Sequence, residues 1–211
     1  MAARKLGIVG AGKLGTALAR TALAAGYEVA IAGSGPAQRI ALQVDVLARG
    51  AVAMTVDEVV ASAEIIVLAV PTHRFRELPT DLFDGKTLID AMNYWPDADG
   101  DDPELADAPD GSSAVVQARF PGARVVKSLN QLGYHELDEY PRERGAPDRI
   151  AVAAAADDRR ALAAVMQLID DLGFDPVDAG RLANGRQLEP DGSPYAVTYS
   201  AADLAAVLVA A

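Results

Sequence analysis

The chain has 211 residues, 19 lysines and arginines against 30 aspartates and glutamates, and a formal charge of −11. It is 51% hydrophobic and has no cysteine, so it can bury a sizeable core, and thiol catalysis and cysteine-ligated metals are excluded. The negative charge argues against nucleic acid and anionic membranes as partners. With only two histidines, no signal-peptide pattern and no apolar run near the roughly 18 residues of a membrane span, we expect a cytoplasmic protein with no metal site and no membrane partner.

Short apolar runs alternate with helical patterns along the chain. The runs at 5–10 and 65–70 are typical of parallel strands buried on both faces. We predict strands at 5–10, 28–32, 51–54, 65–70, 87–92, 123–129, 149–154 and 174–178, and helices at 14–25, 38–48, 56–63, 112–120, 157–172 and 200–211. This alternation predicts an α/β fold with a doubly wound, mostly parallel sheet. We expect one domain over 1–211, with a core over about 1–135 and a short C-terminal extension over about 136–211.

Charge is distributed unevenly. The segment 97–110 carries seven acids and no base, which is typical of a solvated surface loop, and we assign it no chemistry. Residues 1–44 carry five bases and one acid, so this end of the chain is expected to favour an anion.

The most informative motif is Gly10-Ala11-Gly12-Lys13-Leu14-Gly15, which follows the first predicted strand and opens the first predicted helix. Gly10 permits a tight turn, Gly12 lets backbone amides approach a pyrophosphate, and Gly15 allows the helix to pack closely on the strand. The amides at the helix start then face the phosphate charge. In this context the motif predicts a Rossmann-like dinucleotide-binding fold.

The residues at the end of the second strand indicate whether the cofactor is NAD or NADP. An acid there would bind the ribose 2′-hydroxyl of NAD, but the sequence reads Ala-Gly-Ser-Gly-Pro over 32–36. Ser34 can bond a 2′-phosphate, and Arg39 can supply charge, so NADP is favoured. The alternative is that Ser34 only begins a turn and that Arg39 is a solvated helix residue.

The nicotinamide should lie beyond the carboxyl ends of the later strands. There Pro71 can present an apolar face to the ring, and Asn93 and Asn130 can hold its carboxamide. His73 is compatible with a catalytic acid, a phosphate contact or a plain loop residue. For His135 a helix or turn role is preferred.

The motifs resemble those of the NADPH-dependent coenzyme F420 reductases, a family also similar to the cytosolic domain of certain membrane ferric reductases. The resemblance rests on the glycine loop, the serine at position 34, and the segments AVP at 69–71, IDAMN at 89–93, VVKSLN at 125–130 and DAGRLANGRQLE at 178–189. It implies a Rossmann-like fold, a homodimer, and hydride transfer between stacked nicotinamide and deazaflavin rings. Transferred by position, it assigns the pyrophosphate to Gly12, Lys13, Leu14 and Gly15, the 2′-phosphate to Ser34 and Arg39, and the nicotinamide side to Val70, Pro71 and Thr72.

One position departs from that family, which commonly has an arginine where this chain has Gly35, so selectivity for the phosphate rests more on Arg39. Hydride transfer between stacked rings needs orientation rather than a nucleophile, and the sequence offers no convincing triad. We therefore predict an NADPH-dependent oxidoreductase acting on coenzyme F420, with its catalytic residues unassigned. The alternatives are an NADPH-dependent reductase of another acceptor, either a flavin or a small carbonyl compound, and a dinucleotide-binding regulatory module without turnover.

Overall fold

The structure is a computed structural model that describes residues 4–210. Within that range eight strands form one sheet, in the order β3-β2-β1-β4-β5-β6-β7-β8. The strands are β1 (Lys5–Val9), β2 (Glu28–Ala32), β3 (Val52–Ala53), β4 (Ile65–Leu68), β5 (Thr87–Asp90), β6 (Arg124–Ser128), β7 (Ala151–Ala156) and β8 (Asp175–Asp178). All eight lie within or next to the predicted runs.

The first six strands are parallel, and the strand order reverses between β1 and β4. Strand β7 runs antiparallel to β6, and β8 is parallel to β7. The chain leaves β6 at the carboxyl edge of the sheet and begins β7 from that same edge, so the last two strands run the opposite way. The predicted mostly parallel sheet is confirmed. The boundary near residue 135 between core and extension stays a prediction, and β7 and β8 continue the same sheet.

Helices cover both faces, as a doubly wound sheet requires. The helices are α1 (Lys13–Ala24), α2 (Ala41–Leu47), α3 (Val56–Ser62), α4 (Pro96–Asp99), α5 (Pro103–Ala106), α6 (Ser112–Arg119), α7 (Tyr134–Glu139), α8 (Arg159–Asp171) and α9 (Ala201–Ala210). Three 3₁₀ segments lie at Ala37–Arg39, Thr72–Glu77 and Leu182–Leu188. One core cluster lies under α1, α7 and α8, and a second under α3 and α6. Residue 211, the predicted end of the last helix, lies outside the described range.

Local capping explains where several helices begin. Thr55 and Glu58 form a reciprocal capping box at the start of α3. The Asp158 carboxylate accepts the Arg160 and Ala161 amides at 2.9 and 2.8 Å and so begins α8. Within residues 4–210, no helix combines the length and apolar character needed to cross a membrane.

The acidic segment 97–110 differs from the predicted loop. It folds into parts of α4 and all of α5, each of which has a proline in its first turn. Leu105 is buried, and the Asp99 side chain is only 6% exposed. The segment is therefore anchored to the domain at these positions, while most of its acids are exposed to solvent as predicted.

Candidate functional site

The glycine loop joins β1 to α1 with the geometry that the motif predicts. Gly10 has a φ of +127°, and a Cβ at this position would lie 2.1 Å from the Ala69 carbonyl oxygen. A Cβ on Gly15 would lie 1.8 Å from the Gly10 carbonyl oxygen, so only glycine lets α1 approach the strand this closely. At Gly12 an added Cβ would meet nothing within 4 Å. The backbone there faces open space, which leaves room for a ligand.

The first turn of α1 is a favourable place for an anion. Its N-cap residue is Gly12, which supplies no side-chain cap, and the first turn contains no acid. The positive end of the helix dipole therefore meets no protein carboxylate in that turn. A pyrophosphate seated on these amides would satisfy them, so this part of the chain fits a dinucleotide.

The turn after β2 carries Ser34 and lies beside the side chain of Arg39. Gly35 has a φ of +95°, and an added Cβ would lie 3.3 Å from Nη1 of Arg39. The guanidinium group thus folds back beside the turn that carries Ser34. Both side chains are exposed, so a phosphate can reach them. A side chain at position 35 would be strained and would compete for the space that Arg39 occupies, which gives the departure from the family a physical reason.

A cavity of about 540 Å³ lies between this turn and the loop after β4. Its lining includes five of the predicted residues: Gly10, Gly12, Ser34, Val70 and Pro71.

Sequence reasoning missed three polar residues of the same cavity, Gln43, Arg74 and Glu77. Gln43 donates to the Ala11 carbonyl at 2.5 Å and so ties α2 to the glycine loop. Nε of Arg74 donates to Glu77 at 2.8 Å on the opposite wall. The i, i+3 spacing of Arg74 and Glu77 was the only available signal.

The residues predicted for the nicotinamide side form a hydrogen-bonded chain at the carboxyl edge. Thr72 Oγ1 donates to the Asn93 carbonyl at 2.7 Å. Asn93 Nδ2 donates to the Asn130 carbonyl at 2.9 Å, and Asn130 Nδ2 donates to Asn93 Oδ1 at 3.0 Å. The structure therefore brings together side chains that follow β4, β5 and β6. Their role as cofactor ligands stays a prediction.

The side-chain oxygen of Asn130 is a buried acceptor without a hydrogen-bond partner among the described residues. The Nδ2 of the same residue also donates to the Leu188 carbonyl at 2.7 Å. Its neighbour Leu129 has a φ of +63°, which is rare for a side chain of this size. An unpartnered buried acceptor at this edge fits a carboxamide N–H, the group that the nicotinamide carries.

A buried ion pair lies beneath the amide pair. Lys127 is fully buried, and its Nζ contacts the Met92 carbonyl at 2.6 Å and Asp90 Oδ2 at 3.4 Å. The Ser113 hydroxyl donates to the same Asp90 oxygen at 2.5 Å, and the Met92 amide donates to Oδ1 at 3.0 Å. These contacts fix the backbone immediately before Asn93.

The segment 178–189, the most specific part of the family resemblance, crosses the sheet above this ion pair. A Cβ on Gly185 would lie 2.8 Å from Cβ of Lys127, so glycine allows the close approach. At its end, Glu189 accepts the Ser112 amide at 2.7 Å and the Ser112 hydroxyl at 2.6 Å. The segment seals the buried pair and leads the chain back to the carboxyl edge.

Several predicted side chains lie away from the cavity lining. Lys13 places its Nζ 5.2 Å from the centre of the Tyr134 ring, Leu14 packs against the core, and Gly15 serves helix packing. His73 is 47% exposed, and its Nδ1 lies 2.9 Å from Asp99. Burial favours a higher pKa for Asp99, but hydrogen bonds from the Trp95 amide and His73 lower it overall.

An aromatic pair at the carboxyl edge was also missed from sequence. The rings of Trp95 and Tyr195 meet edge to face with centroids 5.8 Å apart. The Tyr195 hydroxyl lies 3.5 Å from Asn93 Nδ2, at the end of the amide chain. The two aromatic residues are 100 positions apart, so no local pattern connected them.

Together the sheet order, the glycine loop and the polar edge define a Rossmann-like dinucleotide-binding protein. Residues 5–94, which carry the loop, Ser34 and Asn93, match the family described as NADP oxidoreductase coenzyme F420-dependent. The resemblance drawn from the motifs is thereby confirmed over this part of the chain, and the family that it matches is one of NADP-dependent oxidoreductases.

Individual proteins show the same likeness. The chain is 27% identical to the hypothetical protein SMa0349 from Sinorhizobium meliloti, covering 94% of this chain and 95% of that one with a TM-score of 0.79. It is 26% identical to a candidate F420-dependent NADP-reductase from Arthrobacter sp. FB24, with 87% of each chain covered and a TM-score of 0.73. It is also 26% identical to rat Metalloreductase STEAP3 over 89% of this chain. This alignment spans only 36% of the rat protein's length.

Proposed function

We propose that the chain catalyses hydride transfer between NADPH and the deazaflavin coenzyme F420. The observation that carries this proposal is the hydrogen-bonded chain of Thr72, Asn93 and Asn130 at the carboxyl edge of the sheet, where we expect the nicotinamide. Such groups orient planar rings and exclude water, which is what direct hydride transfer between two rings requires. The family match supports the same acceptor by its name.

Each part of the site has a distinct task in this proposal. The first turn of α1 would hold the pyrophosphate, and Ser34 with Arg39 would hold the 2′-phosphate. Pro71 would pack on one face of the nicotinamide, while Asn130 Oδ1 would accept a hydrogen bond from its carboxamide. When bound, NADPH would supply the hydride from C4 of its ring. The chain's own contribution is to position that carbon toward the open edge.

The test is to mix the protein with NADPH and coenzyme F420 and to follow the deazaflavin absorbance. Binding of NADPH is measured first, so that the protein is known to be folded and saturated. We expect the absorbance of oxidised F420 to fall with NADPH and to fall much more slowly with NADH. No change with NADPH-saturated protein would overturn the proposal.

A second candidate keeps NADPH and changes the acceptor to a flavin or a small carbonyl compound. Two observations favour this second candidate. Gly35 replaces the arginine that is usual in the family, and the chain is similar to a protein named as a metalloreductase. A scan of flavin, ferric and carbonyl acceptors separates the two candidates. NADPH binding without turnover on any acceptor would instead favour the regulatory module.

A further inference from the structure

The carboxyl edge carries an aromatic pair that the proposed cofactor site does not use. Trp95 is 45% exposed although it is the only tryptophan of the chain and one of its largest side chains. Its backbone amide donates to Asp99 Oδ2 at 3.0 Å, which fixes the residue at the end of the loop after β5. An indole held in place but left half exposed offers a rigid apolar surface to a planar ligand.

The Tyr195 hydroxyl is available as a donor at the same place. It can accept the Asn93 Nδ2 proton at 3.5 Å, and within residues 4–210 no acceptor lies in hydrogen-bond range of its own proton. Burial, and to a lesser degree the negative Glu136, raise the pKa of Tyr195. The phenol is therefore protonated at neutral pH and has a hydrogen to donate.

Backbone strain marks the same location. Only Leu129 and Ala196 among the described non-glycine residues have a positive φ, at 63° and 53°. Leu129 precedes Asn130, and Ala196 follows Tyr195. Strained residues of this kind persist where the surrounding structure holds a functional group in a fixed direction.

We infer that Trp95 and Tyr195 form the acceptor subsite, in which a planar heteroaromatic acceptor packs on the indole and receives a hydrogen bond from the Tyr195 hydroxyl. The inference rests on the proposed function, because it takes NADPH as the hydride donor. It adds the two residues that recognise the acceptor. It also adds a hydrogen bond, from the Tyr195 hydroxyl, to the negative charge that the acceptor gains on reduction.

The chemical step accounts for this role. The hydride leaves C4 of the nicotinamide with its electron pair, so the nicotinamide is oxidised, and a new C–H bond forms on the acceptor, which is reduced. The acceptor gains negative charge on the nitrogen or oxygen conjugated with that carbon. The Tyr195 O–H stabilises this charge, and a proton from the tyrosine or from water completes the reduction, the tyrosine being reprotonated by water.

The variant Tyr195→Phe removes the hydroxyl and keeps the ring that packs on Trp95. We expect kcat with the working acceptor to fall by about 100-fold, as for loss of one donor to a developing anion, while the Kd for NADPH changes less than about twofold. With NADPH deuterated at C4, the isotope effect on kcat should increase because hydride transfer becomes more rate-limiting. The matched control is Tyr199→Phe, since Tyr199 lies on the same segment but packs on the cluster beside β7.

Binding is measured without turnover through the single tryptophan. Protein saturated with NADP⁺ is titrated with oxidised F420, and separately with a flavin, while Trp95 fluorescence is recorded. The subsite predicts saturable quenching by the acceptor that supports turnover, and Trp95→Leu should raise the KM for that acceptor more than about fivefold, the range of a lost aromatic contact. Thermal unfolding of each variant shows that the fold is retained.

The outcomes separate this inference from the proposed function. If the wild-type protein fails to oxidise NADPH with F420 and with every other acceptor tested, the proposed function fails. If it turns over but Tyr195→Phe behaves like Tyr199→Phe, or F420 leaves Trp95 fluorescence unchanged at concentrations that saturate turnover, the subsite is wrong and the function stands.

Discussion

The buried pair of Lys127 and Asp90 gives a prediction about stability that can be worked from the structure. The two side chains are 0% and 1% exposed, so neither charge is compensated by water. Replacing Lys127 with methionine keeps most of its volume under Gly185 but leaves the Asp90 carboxylate and the Met92 carbonyl without their cationic partner. Removing one member of a buried pair typically costs about 3–5 kcal/mol of the free energy of unfolding. We expect Lys127→Met to lose about that much.

Urea unfolding of the ligand-free protein provides the assay, with the free energy obtained by linear extrapolation. The control is Lys86→Met, because Lys86 pairs at 3.2 Å with Glu64, whose side chain is 85% exposed. Exposed pairs of this kind contribute about 0–1 kcal/mol. The double variant Asp90→Asn with Lys127→Met should recover part of the loss, since it removes the unpaired charge. Equal costs for Lys127→Met and Lys86→Met would refute the reasoning.

Three further predictions concern the cleft and the segment beside it. Gly15→Ala should cost about 1–3 kcal/mol in stability, because the new Cβ would lie 1.8 Å from the Gly10 carbonyl oxygen. It should also weaken NADPH binding in a fluorescence titration, and unchanged affinity would contradict this. Arg39→Ala should weaken NADPH binding about tenfold and leave NADH binding unchanged. Equal affinities of the wild-type protein for NADPH and NADH would show that the 2′-phosphate is not recognised. Because the pKa of Asp99 is lowered in the folded state, its contribution to stability is present above pH of about 4 and is lost as pH falls through the folded value. The urea midpoint of Asp99→Asn should therefore lie below that of the wild type at pH 7 and approach it as the pH falls below about 4, whereas a constant difference would exclude this linkage.

The first half of the fold was predictable because its signals are local. The turn at Gly10, the close packing at Gly15 and the anion-binding turn of α1 depend on residues within six positions of one another. The β-strands were found for a similar reason, since a strand buried on both faces is continuously apolar whatever its partner.

The rest of the site depends on contacts between distant segments. Lys127 looked like an ordinary polar residue in a strand, and its role becomes visible only when Asp90 and Gly185 are brought to it. Tyr195 gained its position from Trp95 and Asn93, about 100 residues earlier. A single sequence carries no signal for such pairs, whereas the amides of Asn93 and Asn130 were found because parallel strands end at one edge.

The acidic segment shows how a strongly negative chain can still bind an anionic cofactor. Its acids nearest the 3₁₀ segment Thr72–Glu77 are paired with bases of that segment, Asp99 with His73 at 2.9 Å and Asp102 and Glu104 with Arg76 at 2.5 and 2.7 Å. These pairs hold the wall that carries Arg74 and Glu77, and the Arg76 guanidinium offsets part of the negative charge of the segment close to the cavity. The exposed acids that remain are screened beyond about 8 Å at physiological ionic strength. Local pairing therefore decides the electrostatics of the cleft, and the net charge of −11 governs only the long-range choice of partners.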